Sequence, residues 1–138
     1  MVDAPRPEHS WTPTPRDPAY ERLVALLEQA SEGAAWLDQM IWRWDCDDFR
    51  RRGGTDAQWL DLCAARANKI PKFTRSLDAA VTLVPEGFAW SAQSSQQFPG
   101  QAWLYPPNNI ADIEFQADAA SAPLALCIAS LRARAGGL

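Results

Sequence analysis

SLDAAVTLVPEGFAWSA, residues 76–92, decides the fold. Its first half reads as a short helix: Ser76 is a suitable N-cap, and Leu77, Ala80, Val81 and Val84 recur at i, i+3, i+4 and i+7. Pro85-Glu86-Gly87 then turns the chain. Phe88, Trp90 and Ala92 alternate with Ala89 and Ser91, the period of a strand with one apolar face, and this assigns Trp90 to the core. A helix that hands the chain straight to a strand indicates a mixed α and β domain.

Towards the C-terminus, residues 102–105 and 110–117 read as two further strands, joined by the polar loop SSQQFPGQ and the turn PPNN. Connections this short between consecutive strands predict an antiparallel meander of three. A closing helix starts near Ser121 to Pro123 and buries Leu124, Cys127, Ile128 and Leu131. Arg132 and Arg134 suit the negative end of its dipole, and Gly136 stops it.

Towards the N-terminus, Asp17-Pro18 starts a helix whose stripe is Tyr20, Leu23, Val24, Leu26, Leu27 and Ala30, with Gly33 as its C-cap. A second helix over residues 34–44 places Leu37, Met40, Ile41 and Trp44 on one face and points Trp36 and Trp42 elsewhere. DCDDFRRRGG reads as a charged surface loop ending in a Gly53-Gly54 turn. Asp45, Asp47 and Asp48 match a calcium loop poorly, because Phe49 stands where a third ligand belongs. Thr55 and Gln58 form a capping box for a helix over residues 55–68, and Ile70-Pro71 breaks it ahead of an extended Lys72-Phe73-Thr74.

These elements predict an α+β fold: a small three-stranded antiparallel sheet flanked by about four to five helices, an α-β-α sandwich. The domain spans residues 17–138, and residues 1–16, with four Pro and no apolar period, form an N-terminal arm.

Composition narrows the function. A chain of 138 residues with 47% hydrophobic and 22% charged residues buries one core. A net charge of −4 argues against general duplex DNA binding, which needs a basic face. Cys46, Cys63 and Cys127 have no C-x-x-C spacing, so neither a disulfide framework nor a zinc site is expected, and no metal or cofactor is assigned. No signal-peptide pattern or membrane span is read, and the expected location is the cytoplasm. The single His, His9, lies in the arm, so no Ser-His-Asp or Cys-His arrangement has a positioned base, and the chain reads as non-enzymatic.

Seven Trp in so short a chain, and basic residues that are Arg except for Lys69 and Lys72, favour recognition. Trp offers a stacking face, and Arg a planar fork for phosphate. The expected contacts are Arg51, Trp42 and Trp103, followed by Arg50, Arg52, Trp44, Trp59 and Tyr105. The alternative for the Arg triplet is pairing with the neighbouring Asp residues, and for the Trp residues a place in the core.

Two segments carry a resemblance. SLDAAVTLVPEGFAWSA and the closing SAPLALCIASLRARA, together with Leu37, Asp38 and Ile41, are similar to the phage ABA sandwich domain family, small bacteriophage and prophage proteins mostly of unknown function. The resemblance covers roughly residues 31–135 and leaves residues 45–69 and the Pro-rich arm as additions. It implies helices on both sides of a sheet and a setting inside a bacterial host. In that setting the residues support two functions: capture of a nucleotide-like small molecule or host immune signal, as an anti-defence device, or a protein-interaction role with homo-oligomerisation.

Overall fold

The computed structural model describes residues 17–51 (49–51 by backbone alone), 69–107 and 114–135. The elements in order are α1 (Pro18–Gln29), α2 (Ala35–Arg51), α3 (Leu77–Val81), β1 (Ala89–Gln93), β2 (Gly100–Tyr105), β3 (Phe115–Ala119) and α4 (Ala122–Arg134). The three strands form one antiparallel sheet in the order β1-β2-β3, the predicted meander. The predicted arm and the helix at residues 55–68 lie outside the described residues.

α1 begins as its sequence dictates. The Asp17 carboxylate accepts from the Tyr20 backbone N at 2.9 Å, and Pro18 sits where no intrahelical N–H is needed. Tyr20, Leu23, Val24 and Leu27 are buried. The helix stops at Ala30, not at Gly33. Gly33 serves a close approach instead: a Cβ there would stand 2.1 Å from the Thr74 carbonyl oxygen.

α2 runs through the stretch that reads as a loop in the sequence. Leu37, Asp38, Ile41, Trp44 and Asp48 are buried along one side of it, so the helical stripe continues past residue 44 with an acid as its last member. Arg134 of α4 meets the acids on this helix, at 2.6 Å from Asp45 Oδ1 and 3.6 Å from Asp48 Oδ2.

The segment before α3 is a turn, not the expected extended stretch. Arg75 N and Ser76 N both donate to Lys72 O, and Phe73 and Thr74 are buried. Ser76 caps α3 as predicted, accepting from Ala79 N at 3.4 Å. Past Val81 the helix tightens into three-residue turns, with Thr82, Leu83 and Val84 each donating to the carbonyl three residues back. Ala80 and Leu83 therefore point inward, while Leu77, Val81 and Val84 are half-buried. At the following turn Phe88 N donates to Pro85 O, and Gly87 takes a φ of 87°, a conformation that glycine adopts without strain.

In the sheet, Trp90, Leu104 and Phe115 form one cross-strand row, and Ala92, Ala102 and Ala117 the next. Both rows share a face, over which α4 packs. Of the strand predicted over residues 110–117, residues 110–113 lie outside the described residues, and β3 runs from Phe115 to Ala119, past the predicted end. Every residue of α4 from Leu124 to Leu131 is buried, as befits a helix that touches all three strands, α1 and α3. Gly100 admits the start of this helix, since a Cβ there would lie 2.1 Å from the Ser121 carbonyl oxygen. The buried side chains of the four helices and the sheet join in one hydrophobic cluster.

Candidate functional site

The residues expected to make contacts fall in three places. Trp42 and Trp44 lie on α2, Trp103 and Tyr105 on β2, and Arg50 and Arg51 close α2 with side chains outside the described residues. Arg52 and Trp59 lie outside as well.

Trp44 belongs to the core. Its ring is packed on Tyr20 at a centroid distance of 6.4 Å, and the Arg134 guanidinium carbon stands 5.5 Å from its centroid. Trp42 is half-buried against the same cluster. Among the described residues neither buried indole Nε1 atom has a hydrogen-bond partner, nor has the Ser130 hydroxyl.

Trp103 and Tyr105 are brought together. They are two residues apart on β2 and so share the sheet face opposite α4, with Trp103 half-buried and Tyr105 exposed. Ser91 and Gln116 flank Trp103 in its cross-strand row. The adjoining row is a polar ladder: Gln93 Nε2 donates to Gln101 Oε1 at 2.7 Å, and Gln101 Nε2 donates to Asp118 Oδ1 at 3.3 Å.

Trp90, expected in the core, is 39% exposed. It lies on the α4 side of the sheet, but β1 is an edge strand, so among the described residues only one neighbouring strand flanks it. Phe98, in the loop between β1 and β2, is 44% exposed. Of the four large hydrophobic residues exposed among those described, Trp90, Phe98 and Tyr105 belong to this hairpin, and Trp36 on α2 is the fourth. From Gly87 to Ala111 the sequence has no charged residue. The hairpin is thus an uncharged part of an acidic protein with exposed aromatic side chains, suited to apolar and stacking contact.

Two polar clusters escaped the sequence reading. Asp38, buried on α2, accepts from Thr74 N at 2.8 Å and Thr74 Oγ at 2.6 Å through Oδ1, and from Arg75 through Oδ2. Thr74 Oγ accepts in turn from Ala34 N at 3.0 Å. Cys127 Sγ lies 3.2 Å from Phe73 O, and burial, reinforced by the Asp38 charge, pushes its thiol well above the ordinary range. The signal for the first cluster was an Asp inside the apolar stripe of Leu37 and Ile41. The second cluster joins Arg134 to Asp45, Asp48 and the Leu83 carbonyl, which its Nε reaches at 3.1 Å. Both clusters tie elements together, the first from buried Asp38 and Thr74 out to the exposed Arg75.

Among the described residues no three His, Cys, Asp or Glu side chains gather in a way that could hold a metal ion. None of the described helices is long and apolar enough to cross a membrane. Fold and site define the class: an α+β protein whose three-stranded meander, backed by one buried helix, carries an uncharged hairpin with exposed aromatic side chains. No family model, curated protein or solved structure matches the chain.

Proposed function

We propose that the protein is a non-enzymatic interaction module that acts through its β1–β2 hairpin on another protein surface, in the bacteriophage or prophage setting that the resemblance implies. One observation carries this reading: Trp90, Phe98 and Tyr105 are exposed within a stretch that has no charge from Gly87 to Ala111. Interface centres are depleted of charge and enriched in aromatic residues, because these bury large apolar area at small entropic cost. The test is light scattering together with capture of partners by the immobilised chain, repeated with Tyr105→Glu and with Trp36→Glu. Association that the first variant abolishes and the second preserves supports the hairpin. A monomer with no captured partner, or association abolished by Trp36→Glu alone, overturns it.

A second reading rests on Trp103 and Tyr105, which present two rings on one sheet face beside the Gln93–Gln101–Asp118 ladder. That arrangement suits stacking with a nucleobase, and so capture of a nucleotide-like host signal in the cytoplasm. A ligand at 100 times its dissociation constant adds about 2.7 kcal/mol of stability. A panel of mono-, di- and cyclic nucleotides that leaves the melting temperature unmoved removes this reading for those ligands.

A further inference from the structure

We infer that the partner of the hairpin is a second copy of the chain, joined edge to edge through β1 into one continuous six-stranded antiparallel sheet. The inference rests on the interaction reading above and names its partner.

The two edges of the sheet differ. On the β3 side, Arg132 pairs with Glu28 of α1 and donates to the Gln116 carbonyl oxygen at 2.8 Å, so a charged side chain already occupies the backbone of that strand. β3 also bears Asp118, with Glu114 just before it. β1 has none of these devices. Its sequence, AWSAQ, holds no charge and no Pro, and it pairs with β2 residue for residue without a bulge. Among the described residues nothing pairs with its outer side. Natural sheets block an exposed edge with Lys, Pro, a bulge or an inward charge, and a bare edge recruits another strand.

The strand is complementary to itself. A two-fold axis at Ser91, the middle of β1, pairs all of Ala89–Gln93 with its copy: Ser91 opposite Ser91, Trp90 opposite Ala92, and Ala89 opposite Gln93. Each exposed Trp90 then lies beside a small Ala92 on the same sheet face, and the two rings flank the axis. No like charges meet. Elsewhere a chain of net charge −4 repels its copy, so this uncharged hairpin is where two copies approach at least electrostatic cost.

The experiment measures mass by light scattering or sedimentation for the full chain, Ser91→Lys and Gln116→Lys. The expected species is twice the 15.3 kDa chain mass. Ser91→Lys puts two ammonium groups on the axis and is expected to weaken association by roughly tenfold or more. Gln116→Lys, exposed at the same height on the opposite edge strand, is expected to leave it unchanged. Ser91→Cys adds a readout independent of stability: opposed Cβ atoms in an antiparallel pair are about 5 Å apart, so an oxidant or a short bifunctional thiol reagent links the two copies. Gln116→Cys and the unaltered chain, which carries Cys46, Cys63 and Cys127, serve as controls. A dimer that Ser91→Cys links and Ser91→Lys weakens supports the inference. A monomer, or a dimer linked no better by Ser91→Cys than by the controls, overturns it. If the monomer still captures a partner through Tyr105, self-pairing alone has failed and the interaction reading stands.

Discussion

Asp38 Oδ1 accepts two hydrogen bonds from one residue: Thr74 donates to it from its backbone N at 2.8 Å and from its hydroxyl at 2.6 Å. The two residues are 36 positions apart, and both are buried. This pairing fixes the turn before α3 against the first turns of α2. Buried donors deprived of an acceptor lose hydration without compensation. Asp38→Ala is therefore expected to lower stability by about 2–4 kcal/mol, and Thr74→Val, which keeps the volume and loses the hydroxyl, by about 1–2 kcal/mol. Urea denaturation with an unchanged slope checks both.

Cys127 gives a pH dependence. Its thiol is held neutral first by burial and then by the Asp38 charge, so its folded-state value lies above the ordinary 9.0. The unfolded chain releases this proton near pH 9, and the folded chain retains it. The stabilising contribution is thus complete below that pH and declines as pH rises beyond it. Cys127→Ala is expected to flatten the loss of stability between about pH 8.5 and 10.5, measured by chemical denaturation at each pH. In the unaltered chain, Cys127 is expected to resist alkylation until the protein unfolds.

Two glycines separate steric crowding from backbone strain. Gly100→Ala would drive a methyl group to 2.1 Å from the Ser121 carbonyl oxygen, where the start of α4 has no room to retreat. The expected loss is about 3 kcal/mol or more. Gly87→Ala meets, among the described residues, only Pro107, at 3.6 Å, but must hold a φ of 87°. Its expected loss is about 1–2 kcal/mol. Thermal melts of the two variants rank them.

Arg132 and Arg134, two residues apart on α4, are predicted to differ in weight. Arg132 and its partner Glu28 are 31% and 44% exposed, so water screens the pair, and Arg132→Ala is expected to cost less than about 1 kcal/mol. Arg134 and its partners are far less exposed: 14% for the guanidinium side chain, 18% for Asp45 and 2% for Asp48. Arg134 also covers the Trp44 ring. Removing it takes a cation away from two acids in a poorly hydrated place, and Arg134→Met is expected to cost about 2–4 kcal/mol. Urea denaturation of the two variants checks the ranking.

Local chemistry made much of the fold legible. The caps at Asp17, Ser76 and Ser121, the alternation around Trp103 and the two short strand connections are decided within a few residues, and α1, α4 and the meander followed from them. Features set by distant partners were hidden. Nothing near Asp45 and Asp48 announces that Arg134, far along the chain, pairs with them on α2. Gly33 has the look of a helix cap, and only the Thr74 carbonyl gives it another task. Trp90 alternates as a core residue should, yet whether its strand has one neighbour or two is a property of the sheet and not of the strand. Among the expected contacts, sequence could not tell Trp44, which fills the core, from Tyr105, which faces outward on β2.

α4 has a consequence for synthesis. It lines the sheet, touches α1 and α3, and through Arg134 closes on α2, so the apolar face of the sheet and parts of α1 and α3 wait for residues 122–135. A growing chain still lacking this helix would hold Leu104, Phe115 and Leu27 without their cover. Folding is therefore expected to be completed only when these residues emerge from the ribosome, with the bare meander and its uncharged β1 edge open to neighbouring nascent chains until then.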